Sequence, residues 1–328
     1  MIVLTKSDVK MSISMSEAIE VMKKTFADFY TGKTVTPLRT AIRSKVSQGG
    51  NVLFMPGYIE GTGIALKAIS IFPKNPEIGK PSINAIVLLQ DEQTGETLAL
   101  MEGAAVTAIR TGATSGVATY YLARKEATTV AVIGCGVQAT TQLEAICCVR
   151  HITEVMAYDT DKERISTYID LMSRKFPEIK FAAAKNPDDA VKIADIVITA
   201  TTSPKPVFSA SSLKTGAHIN AIGSYTPDVQ ELPEELFDIA DKIVVDSKEA
   251  VLAEAGDFII PINKRKFSPS KIDAELGQLS SGQLVVRETE REITLFKTVG
   301  IAAQDVACAA KIYNNAVKKG LGTKISMY

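Results

Sequence analysis

An apolar run, Thr129–Ile133, leads straight into Gly134-Cys135-Gly136-Val137-Gln138-Ala139. Glycines at that spacing suit phosphate binding. Gly134 permits a tight turn, Gly136 lets the backbone approach a pyrophosphate, and Ala139 lets the following helix pack closely on its strand. A helix that opens at Val137 and Gln138 then offers its first N–H groups and the positive end of its dipole to the phosphates. Asp159 closes the next apolar segment, about 20 residues further on, where such sites carry the acid that binds the adenosine ribose. A carboxylate there accepts from both ribose hydroxyls and repels a 2′-phosphate. The expected cofactor is NAD, with NADP the alternative.

Two later segments end where a parallel sheet presents ligands. Thr199-Ala200-Thr201-Thr202 and Ala221-Ile222-Gly223-Ser224 each close an apolar run. Ligands of open α/β sheets sit outside the carboxyl ends of strands. Thr201, Gly223 and Ser224 are therefore candidates to touch the ribose and nicotinamide, or simply residues that turn the chain. Pattern alone leaves both uses open.

Cations in apolar settings mark a second kind of chemistry. Lys67 interrupts Gly63-Ile64-Ala65-Leu66 and Ala68-Ile69-Ser70-Ile71, and Arg110 follows Val106-Thr107-Ala108-Ile109. Lys and Arg are seldom buried without a partner. Guanidinium groups grip a carboxylate bidentately, and a lysine can relay a proton or polarise a carbonyl or imine. Arg39, after Pro37-Leu38, has the plainer alternative of a solvated surface cation.

Composition narrows the classes that remain. The chain has 328 residues, with 37 basic and 37 acidic side chains, so nothing in its net charge favours nucleic acid or an anionic membrane. Two histidines, His151 and His218, exclude a histidine-rich metal centre, and no metal is expected. The four cysteines, two of them adjacent at Cys147 and Cys148, form neither a disulfide framework nor a C-x-x-C motif. No apolar run is long enough for a membrane span, and the opening residues carry no long apolar segment, so the expected location is cytoplasmic.

The elements that must position these residues fall into two groups. Ser16–Tyr30 reads as a helix with Ile19, Met22, Phe26 and Phe29 on one face, followed by strand-like runs at Asn51–Tyr58, Ile64–Phe72, Ile83–Gln90 and Glu96–Met101. Pro73–Pro81 is a proline-rich loop, either a surface excursion or a flap over a site. Ala104–Arg124 reads as a helix of small residues. From Thr128 onward strands and helices alternate, through runs near Glu154–Tyr158, Phe181, Ile196–Ala200, His218–Ile222 and Lys242–Asp246. Alternation of this kind implies a doubly wound parallel sheet. Ile301–Lys319, helical in pattern and followed by Gly320, lies beyond it.

The whole chain resembles the ornithine cyclodeaminase/μ-crystallin family. That resemblance rests chiefly on Leu98–Gly103, on Thr107–Thr114 with Arg110 and on Val132–Ala139. Leu66-Lys67 before Phe72-Pro73, Ile222–Asp228 with Glu231-Leu232, and Leu295-Phe296 with Gly300 and Asp305 add to it. It implies an α/β protein with a Rossmann dinucleotide domain over 116–299. It also implies an α+β substrate-binding and dimerisation domain over 1–115, completed by a C-terminal helix within 300–328. A homodimer is implied, with the substrate between the two domains. Arg39, Lys67 and Arg110 match substrate-binding positions. Ser82, Arg110, Thr111, Gly134, Gly136, Val137, Gln138, Asp159, Thr201, Gly223, Ser224 and Val299 match cofactor-binding ones.

Ornithine cyclodeaminases share a Gly-Gly-Asp-x-Pro-Gly-Lys segment. This sequence has Gly223-Ser224-Tyr225-Thr226-Pro227-Asp228-Val229 there, with Tyr225 in place of the Asp and Val229 in place of the Lys. Such a version is similar to the ketimine-reductase branch. The expected activity is NAD(P)H-dependent reduction of a small cyclic imino acid, Δ1-pyrroline-2-carboxylate or a related ketimine, to an amino acid such as proline. Lys67 is expected to orient the substrate or relay a proton, and Asp228 is a second, weaker candidate in the same relay. The rivals are an ornithine cyclodeaminase, an alanine-dehydrogenase-like oxidoreductase and a dinucleotide-dependent ligand binder.

Overall fold

The computed structural model describes residues 1–46 and 49–326. The chain divides into two compact units, Met1–Arg110 with Ile301–Tyr328, and Thr111–Gly300.

The first unit opens with β1 (Ile2–Leu4) and two helices, α1 (Lys6–Ser12) and α2 (Met15–Tyr30). Each helix starts at a capping box, Thr5 with Asp8 and Ser14 with Glu17, in which side chain and backbone satisfy each other's orphan donors. Ile19, Met22 and Phe26 of α2 are buried, as their spacing predicts, while Phe29 is half-buried. The sheet then takes β2 (Thr34–Val35), β3 (Thr40–Arg43), β4 (Asn51–Ile59), β5 (Gly63–Ile71), β6 (Ile83–Gln90) and β7 (Thr97–Glu102). Strands β4 to β7 form an antiparallel meander, and β1 adds to β7 in parallel. The loop from Pro73 to Pro81 is an exposed connection holding one turn of 3₁₀ helix, tied by the Asn75 amide donating to the Pro81 carbonyl.

The chain returns to this unit at its end. The C-terminal helix (Ala302–Lys319) lies on β4 and β5, and a last strand (Thr323–Lys324) pairs with β1. Gly57 makes the close approach possible, since a Cβ there would meet the Ala302 methyl at 2.9 Å. Gly320, at φ +65°, ends the helix in the left-handed conformation that glycine adopts without strain.

Helix α3 (Gly103–Leu122) carries the chain across the boundary into the second unit. Its stripe of small residues serves packing: a Cβ at Gly112 would lie 2.5 Å from the Thr141 carbonyl oxygen. Then come β8 (Thr129–Ile133), α4 (Val137–Val149), β9 (Glu154–Tyr158), α5 (Lys162–Lys175), β10 (Lys180–Ala183), α6 (Pro187–Ile193), β11 (Ile196–Thr199) and β12 (His218–Ala221). Beyond them lie α7 (Leu236–Ile239), β13 (Lys242–Val245), α8 (Lys248–Glu254), α9 (Gly256–Asn263), β14 (Ala274–Glu275), α10 (Leu276–Ser280) and β15 (Thr294–Lys297).

These strands make one parallel sheet of order β10-β9-β8-β11-β12-β15-β13-β14, a doubly wound α/β arrangement. The order reverses between β8 and β11, so the crevice for a ligand opens at the ends of those two strands. Strand β15 is not among the strands expected from sequence. It is four residues long, fully buried and preceded by the charged stretch Arg287–Glu292, so it has neither alternation nor length to announce it. Among the described residues no helix is long and apolar enough to cross a membrane.

Candidate active site

In the first unit the sequence-nominated cations come together. Strand β5 alternates, turning Ala65 and Lys67 inward, and Lys67 is 1 % exposed. Its ammonium donates to Asp305 Oδ2 at 2.7 Å, and Arg110, buried in α3, donates through Nε to Asp305 Oδ1 at 3.2 Å. One carboxylate thus bridges both cations. Arg110 also donates through Nη1 to Gln304 Oε1 at 2.9 Å, and that same oxygen accepts the Ile301 N–H at 2.8 Å. Asp305 and Gln304 lie in the first turn of the C-terminal helix, which is buried along this stretch.

Burial pushes the Lys67 ammonium down to about 8; Asp305 opposes the fall, while the charges of Arg110 and, more weakly, Arg39 add to it. Arg39 is half-buried and shares this electrostatic neighbourhood. Three cations against the Asp305 carboxylate leave an excess of positive charge. A carboxylate ligand would offset it, and guanidinium groups bind carboxylates through paired hydrogen bonds. A lysine near 8 also exchanges its proton in the neutral pH range, as an acid–base group must.

Asp305 carries no site role in the sequence reading, where it serves only as one residue of a resemblance. A signal was present: an acid within Ala302-Ala303-Gln304-Asp305-Val306-Ala307, with no base one turn away on its own helix. An acid buried by such a helix needs a partner from elsewhere.

The second unit gathers the nucleotide candidates around the β8–α4 turn. Gly134 stands at φ +95°, and a Cβ there would lie 2.6 Å from the Ala200 carbonyl and 2.8 Å from the Thr201 methyl. Gly136 differs: nothing lies within 4 Å of where its Cβ would be. Gly136 also caps α4 without any side-chain hydrogen bond to the helix N-terminus. Val137 is 74 % exposed, and the buried Gln138 Oε1 has no partner among the described residues. Asp159 leans into the same turn, its Oδ2 accepting the Cys135 N–H at 2.8 Å and its Oδ1 the Asp161 N–H at 3.0 Å.

An open glycine face, an uncapped helix N-terminus and an adjacent carboxylate fit a dinucleotide. Gly134, Gly136, Val137 and Gln138 would hold its pyrophosphate, and Asp159 its adenosine ribose. Among the described residues no group of His, Cys, Asp and Glu could hold a metal ion.

The remaining candidates are spread more widely. Thr201 follows β11 and touches the glycine turn as described. Ser224, fully buried after β12, donates its hydroxyl to the Val229 carbonyl at 2.5 Å. Val299 is buried beyond β15, its N–H donating to Asp246 Oδ2 at 3.0 Å. Thr111 is buried in α3, next to Arg110 in the chain. Ser82, half-buried in the first unit, accepts the Phe72 N–H at its carbonyl. Asp228 sits exposed on the turn after Ser224, and no hydrogen bond joins its carboxylate to another described residue.

A model of the ornithine cyclodeaminase/mu-crystallin family matches residues 1–320. The chain is 42 % identical over 326 residues to a Δ1-pyrroline-2-carboxylate reductase of Bacillus cereus, covering 99 % of each. It is 35 % identical over 327 residues to an alanine dehydrogenase of Archaeoglobus fulgidus, covering 100 % of this chain and 98 % of that one. Among solved structures, the Δ1-pyrroline-2-carboxylate reductase of Thermococcus litoralis, in complex with NADH and L-proline, matches with a TM-score of 0.95. Its sequence identity is 42 %, over 99 % of this chain and 100 % of that one.

Proposed function

The chain belongs to the ornithine cyclodeaminase/mu-crystallin family, and we propose that it is an NAD(H)-dependent reductase of Δ1-pyrroline-2-carboxylate or a closely related cyclic imino acid, forming an amino acid such as L-proline. The observation that carries this is the buried Lys67–Asp305–Arg110 cluster, cationic in sum and holding a lysine that titrates near 8. The reductase relatives support the same substrate class.

Arg110 and Arg39 bind the substrate carboxylate and so fix which ring atom faces the cofactor. A reduced nicotinamide, when bound, supplies the hydride for the imine carbon. Lys67 holds the proton that the ring nitrogen takes up as the C=N bond becomes C–N, and solvent restores that proton afterwards. Asp305 holds the Lys67 ammonium at Nζ and fixes the Arg110 fork at Nε, so that both cations stay in place when the site is empty. Asp228, exposed and without a described partner, is left as the weaker proton-relay candidate.

In this proposal the first unit binds substrate and the second binds the dinucleotide through Gly134, Gly136, Val137, Gln138, Asp159, Thr201, Gly223, Ser224 and Val299, with Ser82 and Thr111 as further contacts. Asp159 favours NAD over NADP through its charge. The reductant is drawn from the cytoplasmic pool, the compartment proposed for the protein. A homodimer belongs to the same proposal. The sheet of the first unit buries one face under the C-terminal helix, but its other face carries Phe54, Leu66, Ile86, Leu88, Leu98 and Leu100, all exposed or half-buried. A second copy of that face would cover it.

The test is an NADH-oxidation assay with Δ1-pyrroline-2-carboxylate, run beside ornithine and beside pyruvate plus ammonia. The expected result is oxidation with the imino acid alone. Ammonia release from ornithine without net NADH change would identify a cyclodeaminase instead. Oxidation that requires pyruvate and ammonia would identify an alanine dehydrogenase.

A further inference from the structure

Beneath the ends of β11 and β12 lies a carboxylate that the proposed mechanism does not use. Glu231 is completely buried. Its Oε1 accepts the Thr201 N–H at 2.6 Å, and its Oε2 accepts the Ser224 N–H at 3.1 Å and the Thr199 hydroxyl at 3.3 Å. Neighbouring parallel strands stop bonding to each other where they diverge, and buried backbone N–H groups there need another acceptor. One side chain meets that need for both turns.

Glu231 is itself fixed. Asp257 Oδ1 accepts the N–H groups of Glu231 and Leu232 at 2.7 and 2.9 Å, and its Oδ2 accepts from the fully buried Lys297 at 2.7 Å. The chain is shaped around the carboxylate as well. A Cβ at Gly223 would come 2.4 Å from Glu231 Oε1 and 2.3 Å from the Thr201 carbonyl. Glycine at 223 is thus what lets Glu231 lie against both turns.

We propose that Glu231 is a positioning residue for the nicotinamide half of the dinucleotide, acting through the Thr201 and Ser224 turns that it ties together. This rests on the reading that those turns touch the cofactor. The glycine turn and Asp159, which would hold the other half, make no hydrogen bond to Glu231. Thr201 packs against Gly134, but both N–H groups that Glu231 accepts belong to the other two turns, so its larger effect should fall on the nicotinamide end of the ligand.

Glu231→Gln tests this, because its amide NH₂ must face an N–H donor where the carboxylate accepted. Wild type and variant are titrated calorimetrically with NADH and with ADP, which has the adenosine and pyrophosphate but no nicotinamide nucleoside. The expected result is NADH affinity weakened by about tenfold or more, the scale of one mismatched buried polar group. ADP affinity and the KM for the imino acid should stay within about twofold, a split that a general loss of structure does not produce. Equal weakening of NADH and ADP, or no change in either, overturns the positioning role while the dinucleotide reading stands. Wild-type protein that binds neither ligand overturns both. If Glu231→Gln does not fold, Glu231→Asp replaces it: the charge is kept, but a side chain one methylene shorter cannot reach both turns. The same split is expected of it, and an unchanged ratio of the two affinities overturns the proposal.

Discussion

The two units build their candidate sites from different materials. In the first, side-chain charge does the work: Lys67, Arg110 and Asp305 are buried together and Arg39 adds its field. In the second, backbone does it: a glycine turn, an uncapped helix end and N–H groups gathered by buried carboxylates. A site made of charge responds to pH and to the loss of single side chains. A site made of backbone responds chiefly to added volume.

The largest expected effect breaks the charged site alone. Lys67→Ala should lower kcat/KM for the imino acid by about 10²–10⁴-fold, the usual worth of a positioned proton donor. Steady-state kinetics beside NADH titration checks it, since NADH affinity should hold within about threefold. Asp305→Asn comes next. It leaves two buried cations without their anion and should cost about 3–5 kcal/mol in unfolding free energy, read by denaturant titration. It also removes the carboxylate that holds the Lys67 pKa up against burial and like charges, so the pH at which activity is lost should move below about 8.

Gly136→Ala probes the other side of the comparison. Its backbone is extended at φ −82° and its Cβ would enter open space, so the melting temperature should be unchanged. NADH affinity should nevertheless fall by about tenfold or more if, as proposed, a pyrophosphate approaches where the methyl would stand. A variant that binds NADH normally would show that Gly136 is no phosphate cradle.

The smallest effects are those of pH on the wild-type protein. Activity should fall above about 8 as Lys67 loses its proton, while NADH binding stays flat. For stability the sign is opposite. Lys67 is lowered from 10.5 to about 8 by folding, so between those values the unfolded chain binds the extra proton, and unfolding free energy should rise with pH through that window. Denaturant titrations at both ends should differ by about 1–3 kcal/mol, a difference that Lys67→Met abolishes.

The two materials also differ in how far they can be read from sequence. The glycine turn is legible because its parts are contiguous: strand, turn and helix follow one another, and Asp159 comes at the end of the next strand. Lys67 and Arg110 are legible as anomalies, charges in apolar settings. Their shared partner is not, because Asp305 lies 238 and 195 residues away and nothing local links it to either. Strand β15 escapes for another reason. A four-residue strand buried on both faces has no period, and its Lys297 argues against burial until Asp257 is seen beside it. The same holds for Glu231, an ordinary acid in sequence whose role depends on two turns that only the sheet brings together.

The return of the C-terminal helix to the first unit has a consequence for the growing chain. Lys67 and Arg110 emerge from the ribosome early, but the acid that balances them comes 195 residues after Arg110. Until then both cations stay in water, where an unpaired charge costs little, and the first unit cannot close over them. The second unit, Thr111–Gly300, is contiguous and complete before Asp305 is made. The part encoded in the middle can therefore fold first, and the first unit, although begun earliest, is finished last.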